Sequence, residues 1–235
     1  MVELTLSGPG KNALGTVLME QLRATLRTAR DQPLLVRGSG DAFSAGLDLK
    51  EVASLDRTGM ERFLGTLEEL VDALYNHPAP TVACINVHAI AGGCVIALCC
   101  DHRVAADTPT IRIGLNEVAL GLEFPPKVLG VARRRIPPRS LERVLLEAGL
   151  YEPRTALELG LVDEVAADAP AAARAHLERL ATHPRETYTA TKRALRAGTL
   201  DLDEAALRRF RTELVPAWCA PAVKERVRAA LARRR

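Results

Sequence analysis

The chain has 235 residues, 48% of them hydrophobic and 3% aromatic, and its 32 basic and 29 acidic residues leave a net charge of +3. That length holds one large domain, or one domain with an appendage, and the hydrophobic content excludes a disordered chain. Near-balanced charge with few aromatics argues against a protein built to bind nucleic acid. Five cysteines, an odd number with no CxxC pair, fit neither a disulfide scaffold nor a zinc ribbon. They point to a reducing compartment, read here as the cytoplasm.

The first residues lack the basic stretch and apolar run of a signal peptide. Val2–Leu6 reads as a strand, followed by a turn at Ser7–Gly10. Helical spacing covers Leu14–Arg30, and Pro33 ends it. Leu34–Arg37 is a strand and Asp41–Leu49 a glycine-containing loop. Met60–Asn76 is an amphipathic helix with Phe63, Leu64, Leu67, Leu70, Val71 and Leu74 on one face, stopped by Pro78 and Pro80. The apolar run Thr81–Cys100 is interrupted by Asn86, His88 and Gly92-Gly93. It reads as a buried strand (Thr81–Val87), a turn and a buried helix, not a membrane span.

Further strands are expected at Arg103–Ala106 and around Thr110–Ile113, then a helix or loop at Asn116–Gly121. Helices are expected at Val128–Arg135 and Arg139–Ala148, a short segment at Pro153–Gly160, and a last strand at Leu161–Val165. Beyond Ala171 the pattern is helical: Ala171–Thr182, Arg185–Ala197, Leu202–Leu214 and Ala222–Ala232. The alternation defines an α/β body with parallel connections over residues 1–168 and a helical region over 169–235.

Two loops have the makings of a site. In Phe43–Leu49, Gly46 lets backbone approach a ligand closely. In Ala89–Cys94, a glycine pair at a helix start leaves N–H groups free for an anion, including one that forms only during a reaction. A third motif, Ile113-Gly114-Leu115-Asn116-Glu117, is followed by Gly121 and Pro125.

Taken in order, FSAGLDL, HAIAGGCVIALCCD and IGLNE…LG…P resemble the crotonase superfamily, the enoyl-CoA hydratase and isomerase group. Asn12-Ala13-Leu14 resembles that family's N-terminal NAL segment, and Pro153–Val165 its A-x-x-x-G-L-V-D-x-V stretch. The resemblance implies a repeated β-β-α spiral core, a helical C-terminal trimerisation region that also covers the site, and a homotrimer or a dimer of trimers. It implies an acyl-CoA thioester substrate, with no cofactor beyond the coenzyme A of the substrate and no metal. It places the two backbone N–H groups of an oxyanion hole on Leu47 and Gly92, flanked by Gly46 and Gly93. Ala45 and Asp48 fall where the family shapes the loop around the coenzyme. Lys50 is the best candidate for its phosphates, with Lys11 and Lys224 behind it. Family members also carry a strand ahead of the one at Val2–Leu6.

Hydratases of this family hold a water between two glutamates. One of those positions is Val95 here, and valine cannot transfer a proton; the other is Glu117. A lone carboxylate resembles the Δ3,Δ2-enoyl-CoA isomerases, in which one acid moves a proton from C2 to C4. Such a base needs a pKa raised by apolar neighbours, for which Val95, Ile90 and Leu122 are candidates. Hydration, decarboxylation or thioester hydrolysis through the same enolate are alternatives, as is a non-catalytic assembly or RNA-binding role. His88, Cys94, Cys99, Cys100 and Asp101 read as structural, Glu123 as a solvated loop residue, and Arg133–Arg135 and Arg233–Arg235 as a solvated helix face and tail.

Overall fold

Among the described residues seven strands organise the chain: β1 Val2–Leu6, β2 Leu34–Gly38, β3 Thr81–Ile85, β4 Ala89–Ile90, β5 His102–Ala106, β6 Ile113–Gly114 and β7 Glu164–Ala166. The computed structural model describes residues 1–232, so the arginine tail lies outside the described residues. Five strands form one parallel sheet in the order β1-β2-β3-β5-β7. Every residue of β3 is buried, as its unbroken apolar reading requires of a central parallel strand. Ala83 and Ile85 face the main core, while Val82 and Cys84 face a smaller cluster closed by Ala169, Ala173 and Leu177.

The helices are α1 Thr16–Thr28, α2 Leu49–Ser54, α3 Arg57–Tyr75, α4 Gly92–Cys99, α5 Pro126–Arg135, α6 Pro138–Leu146, α7 Pro153–Glu158, α8 Ala169–Ala181, α9 Arg185–Arg196, α10 Glu204–Arg209, α11 Val215–Cys219 and α12 Pro221–Ala232. Among the described residues no helix is long and apolar enough to cross a membrane.

Between each of the first four sheet strands in the chain (β1, β2, β3 and β5) and the helix that follows lies a second, very short strand. Leu14 bridges Leu47, Ser44 bridges Ala89, β4 pairs with β6, and Ile113 bridges Tyr151. The unit strand–short strand–helix therefore recurs along the chain, and its short strands make a second layer that carries the site loops.

Three sequence expectations give way here. Helix α1 begins at Thr16, not Leu14, because Leu14 is held in that second layer: its N–H donates to Gly46 O at 2.8 Å. The last strand is only Glu164–Ala166. Leu161 and Val162 instead finish α7, with Gly160 left-handed at φ +76° and Leu161 N–H donating back to Ala156 O at 2.8 Å. The helix expected over Leu202–Leu214 passes at Phe210–Leu214 into a π turn and continues as α11. Pro216 has no N–H to continue the ordinary ladder, and Val215 N–H bonds Phe210 O, five residues back.

The C-terminal helix α12 lies over the second layer. Lys224 Nζ donates to Leu55 O at 2.6 Å, Arg226 Nε donates to Leu120 O at 3.3 Å, and the Arg226 guanidinium sits against Gly121.

Candidate active site

The loop before α2 is fixed from both sides. Leu14 receives Asp48 N–H at 3.2 Å and bonds Gly46 O, so the residues flanking Leu47 face Leu14 and Leu47's own N–H faces away. Asp48 caps α2, its carboxylate accepting Lys50 N–H at 2.9 Å and Glu51 N–H at 3.3 Å. Gly46 has φ +90°, and a Cβ there would lie 2.9 Å from both Ile90 O and Ala91 Cβ. Behind it, the buried Asn12 amide donates to Ser39 O at 2.7 Å and Ala42 O at 2.8 Å. Asn12 O accepts from the Ser44 hydroxyl, which in turn accepts Gly46 N–H at 3.2 Å.

Helix α4 starts against this loop. Ala91, just before it, is held at φ 50°, ψ −123°, a conformation that costs a residue with a Cβ about 1–3 kcal/mol. A Cβ on Gly93 would lie 2.5 Å from Ser44 O, so only glycine lets the helix approach this closely. A Cβ on Gly92 would lie 3.5 Å from Leu47 N. Among the described residues neither Leu47 N–H nor Gly92 N–H has an acceptor. Two free donors thus lie side by side at the positive end of a helix.

Glu117 is 7% exposed, and its Oε2 has no hydrogen-bond partner among the described residues. Burial pushes its carboxyl up from the ordinary 4.5 to about 8, against the smaller opposing pull of its own backbone N–H. The following turn folds back, Leu120 N–H and Leu122 N–H both donating to Glu117 O at 3.0 Å, with Gly121 left-handed at φ +72°. This closes a cavity of about 20 Å³, room for one small group. Ala45, Leu47, Leu49 and Ala91 line one part of it; Asn116, Glu117, Leu120 and Leu122 line the other.

The structure therefore gathers Ala45, Leu47, Leu122 and Glu117 around one cavity, with Gly92 one residue beyond its wall at Ala91. Gly46 and Gly93 lie in the backbone behind it. Val95 is buried in the core and Ile90 is half-buried, and neither lines the wall; Leu49, Leu120 and Ala91 supply the apolar contacts instead. Asp48 caps its helix rather than facing the cavity. Lys50 is exposed and, among the described residues, has no carboxylate within ion-pair distance. Lys11 pairs with Asp41 at 3.6 Å, and Lys224 is committed to Leu55 O.

His88 accepts Arg112 N–H at 3.0 Å, Cys94, Cys99 and Cys100 are fully buried, and Glu123 is exposed near Arg209. Arg135 corrects the solvated-face reading of its triplet: it turns inward onto the end of α4, donating to Leu98 O at 3.1 Å and Cys100 O at 2.8 Å. His102, Glu164 and His176 also cluster, away from the site loops. Their two imidazoles stack at 3.5 Å and 9°, so their ring nitrogens point in parallel instead of converging, and Arg179 lies against His176.

A larger hollow of about 540 Å³ adjoins the cavity and shares Leu122 with it. Val118, Phe124 and Leu129 form one side and Ala206, Phe210 and Leu214 the other. No local pattern announces this hollow, because its sides come from segments far apart in the chain.

The strand–short strand–helix repeat, the paired amide donors and the buried Glu117 carboxyl define an α/β protein with a site suited to holding negative charge on an oxygen. The profile of the enoyl-CoA hydratase/isomerase family matches residues 1–227, and the chain belongs to that family. It is 37% identical to mouse mitochondrial enoyl-CoA delta isomerase 1 over 161 residues, 68% of this chain and 56% of the mouse protein. It is 30% identical to a probable enoyl-CoA hydratase of Mycobacterium tuberculosis over 211 residues, 86% of this chain and 78% of that protein. The crystal structure of human mitochondrial delta3-delta2-enoyl-CoA isomerase superposes with a TM-score of 0.91 at 26% identity, covering 98% of this chain and 92% of that one. In sequence, the chain spans little more than half the length of the mouse, human and rat isomerases it matches.

Proposed function

We propose that the protein is an enoyl-CoA isomerase that converts a 3-enoyl-CoA into its 2-trans isomer. The observation that carries this reading is one buried carboxyl without a partner, in the same small cavity as Leu47. The thioester oxygen lies between Leu47 N–H and Gly92 N–H. Glu117 removes a proton from C2, the electron pair moves onto the oxygen to give a dienolate, and the two amides stabilise that charge. Each such donor is typically worth about 3–4 kcal/mol. The acid then returns the proton at C4, and the double bond ends in conjugation with the thioester. Raised to about 8, Glu117 is basic enough to take the proton and acidic enough to give it back.

A second carboxylate to activate water has no counterpart in this cavity, because α4 carries Val95 in the core where hydratases of this family place one. The acyl tail is assigned to the apolar hollow beyond Leu122, and a coenzyme phosphate to the uncommitted Lys50. No cofactor beyond the substrate's coenzyme A is invoked. The trimer is likewise part of this reading; Leu195 and Leu207, exposed on the C-terminal helices, are apolar surface that a second copy would cover. Five unpaired cysteines suit a reducing cytoplasm.

The test supplies 3-hexenoyl-CoA and, separately, 2-trans-hexenoyl-CoA. Conjugation of the first without hydration of the second supports the isomerase; fast hydration of the second replaces it with a hydratase.

A further inference from the structure

Helix α4 carries the Gly92 donor, yet its side chains, GGCVIALC, offer only weak thiol donors to fix the helix along its axis, such as Cys99 Sγ to Val71 O at 3.9 Å. Apolar packing is not directional. Its N-terminal end has no side-chain cap, which leaves the donors free for a ligand. Main-chain bonds seat the residues just before it, Ile90 N–H donating to Ser44 O at 3.0 Å and Ala91 N–H to Gly114 O at 2.8 Å, but the charged side-chain bonds lie at the opposite end. Arg135 donates through Nε to Leu98 O at 3.1 Å, and through one terminal nitrogen to Cys100 O at 2.8 Å and Asp101 O at 3.0 Å. Arg196 donates to Cys99 O at 3.3 Å and to Tyr75 O, and its other terminal nitrogen pairs with Asp101 at 2.6 Å. Lys192 completes the cluster, donating to Ala79 O and Asp101. The last carbonyls of the helix, where its dipole is negative, are thus held by two guanidiniums.

We propose that Arg135 and Arg196 are positioning residues of the oxyanion hole, acting through α4, an inference that rests on the isomerase reading. Two consequences follow from the arrangement. The bonds set where the helix ends, and because an eight-residue helix is a stiff rod about 12 Å long, they act together with the main-chain bonds of Ile90 and Ala91 in setting the axial position and tilt at Gly92. Around the far end, three cations (Arg135, Lys192 and Arg196) face one carboxylate, Asp101. This excess positive charge adds to the helix dipole in favouring an anion at the near end. The thioester oxygen is charged in the dienolate and neutral in the bound substrate, so the effect belongs to turnover more than to substrate affinity.

The experiment compares wild type with Arg135→Met, Arg135→Lys and Arg196→Lys, with Arg134→Met as a control whose side chain is exposed and reaches only Leu195 O. For each, kcat and KM are measured with 3-hexenoyl-CoA, alongside melting temperature. The ionisation of bound 3-oxobutanoyl-CoA to its enolate is followed by near-ultraviolet absorbance against pH. Arg135→Met should lower kcat about tenfold to a hundredfold. It should raise the enolate's apparent pKa by about one unit while KM moves less than about twofold. Arg135→Lys and Arg196→Lys, which keep the charge and a donor, should fold and fall between. A purely structural role would lower the melting temperature and leave the enolate's pKa where it is. That outcome overturns the inference while the wild-type enolate signal leaves the oxyanion hole standing. A wild type that stabilises no enolate overturns the hole and the inference together.

Discussion

Leu47 N lies 3.5 Å from the point a Cβ on Gly92 would occupy, so any side chain there stands over the donor pair. The other close neighbours of that point are the ends of two leucines, Leu14 Cδ1 at 3.2 Å and Leu47 Cδ2 at 3.4 Å, which can give way. Gly92→Val should therefore fold but lose the thioester's seat. We expect kcat/KM to fall about 10²–10³-fold, the loss found when one donor is removed, with circular dichroism unchanged.

Glu117 sets the pH profile. Its carboxyl titrates near 8, and the base must be ionised to take the C2 proton, so kcat/KM should rise with pH and level off above about 8. Glu117→Gln should cut turnover about 10²–10⁴-fold and abolish that rise. Stability runs the other way. The folded acid titrates above its ordinary 4.5, so its protonated form is favoured by folding; that stability is complete below 4.5 and is lost as pH rises through about 8. Melting temperature measured from pH 5 to 9 should fall less steeply in Glu117→Gln. Part of the slope should persist, because burial also raises Glu68 to about 7.

Asn12 shows how a polar residue remote from the chemistry supports it. It is 3% exposed and sits at φ 57° after left-handed Gly10 and Lys11, and its amide holds the carbonyls of Ser39 and Ala42. Asn12→Ala leaves both carbonyls without that donor and places an alanine at positive φ, in the residue whose main-chain oxygen accepts the Ser44 hydroxyl. We expect a loss of about 1–3 kcal/mol in denaturant unfolding, with activity reduced in the protein that remains folded.

Strand β3 and helix α4 were legible in the sequence because an apolar run broken by two glycines has few other foldings. The recurring loops FSAGLDL and AIAGGC gave the donor pair through resemblance, and Glu117 through its motif. Leu14 was misread because it continues the apolar spacing of α1, and nothing local shows that it pairs with Leu47. The strain at Ala91 was invisible, since alanine carries no preference for positive φ; it follows from the helix being pressed against Ser44. Arg135 looked like its neighbours in a run of three, but successive helical residues point about 100° apart, so one of the three can face the end of α4. The hollow beyond Leu122 needed the tertiary fold, because it joins the turn after Glu117 to a π turn caused by Pro216.

Lys50 distinguishes binding from chemistry. It is exposed, belongs to the turn that Asp48 caps, and among the described residues is not spent on an ion pair, whereas Lys11 faces Asp41. If it meets a coenzyme phosphate, Lys50→Ala should raise KM for the CoA thioester about three- to tenfold and leave kcat within about twofold. The difference should shrink at high salt, because an exposed contact between opposite charges is screened. The same substitution should leave KM unchanged for a pantetheine thioester, which lacks the phosphates. Equal effects on both substrates would instead place the loss in the Leu47 loop, through the α2 cap.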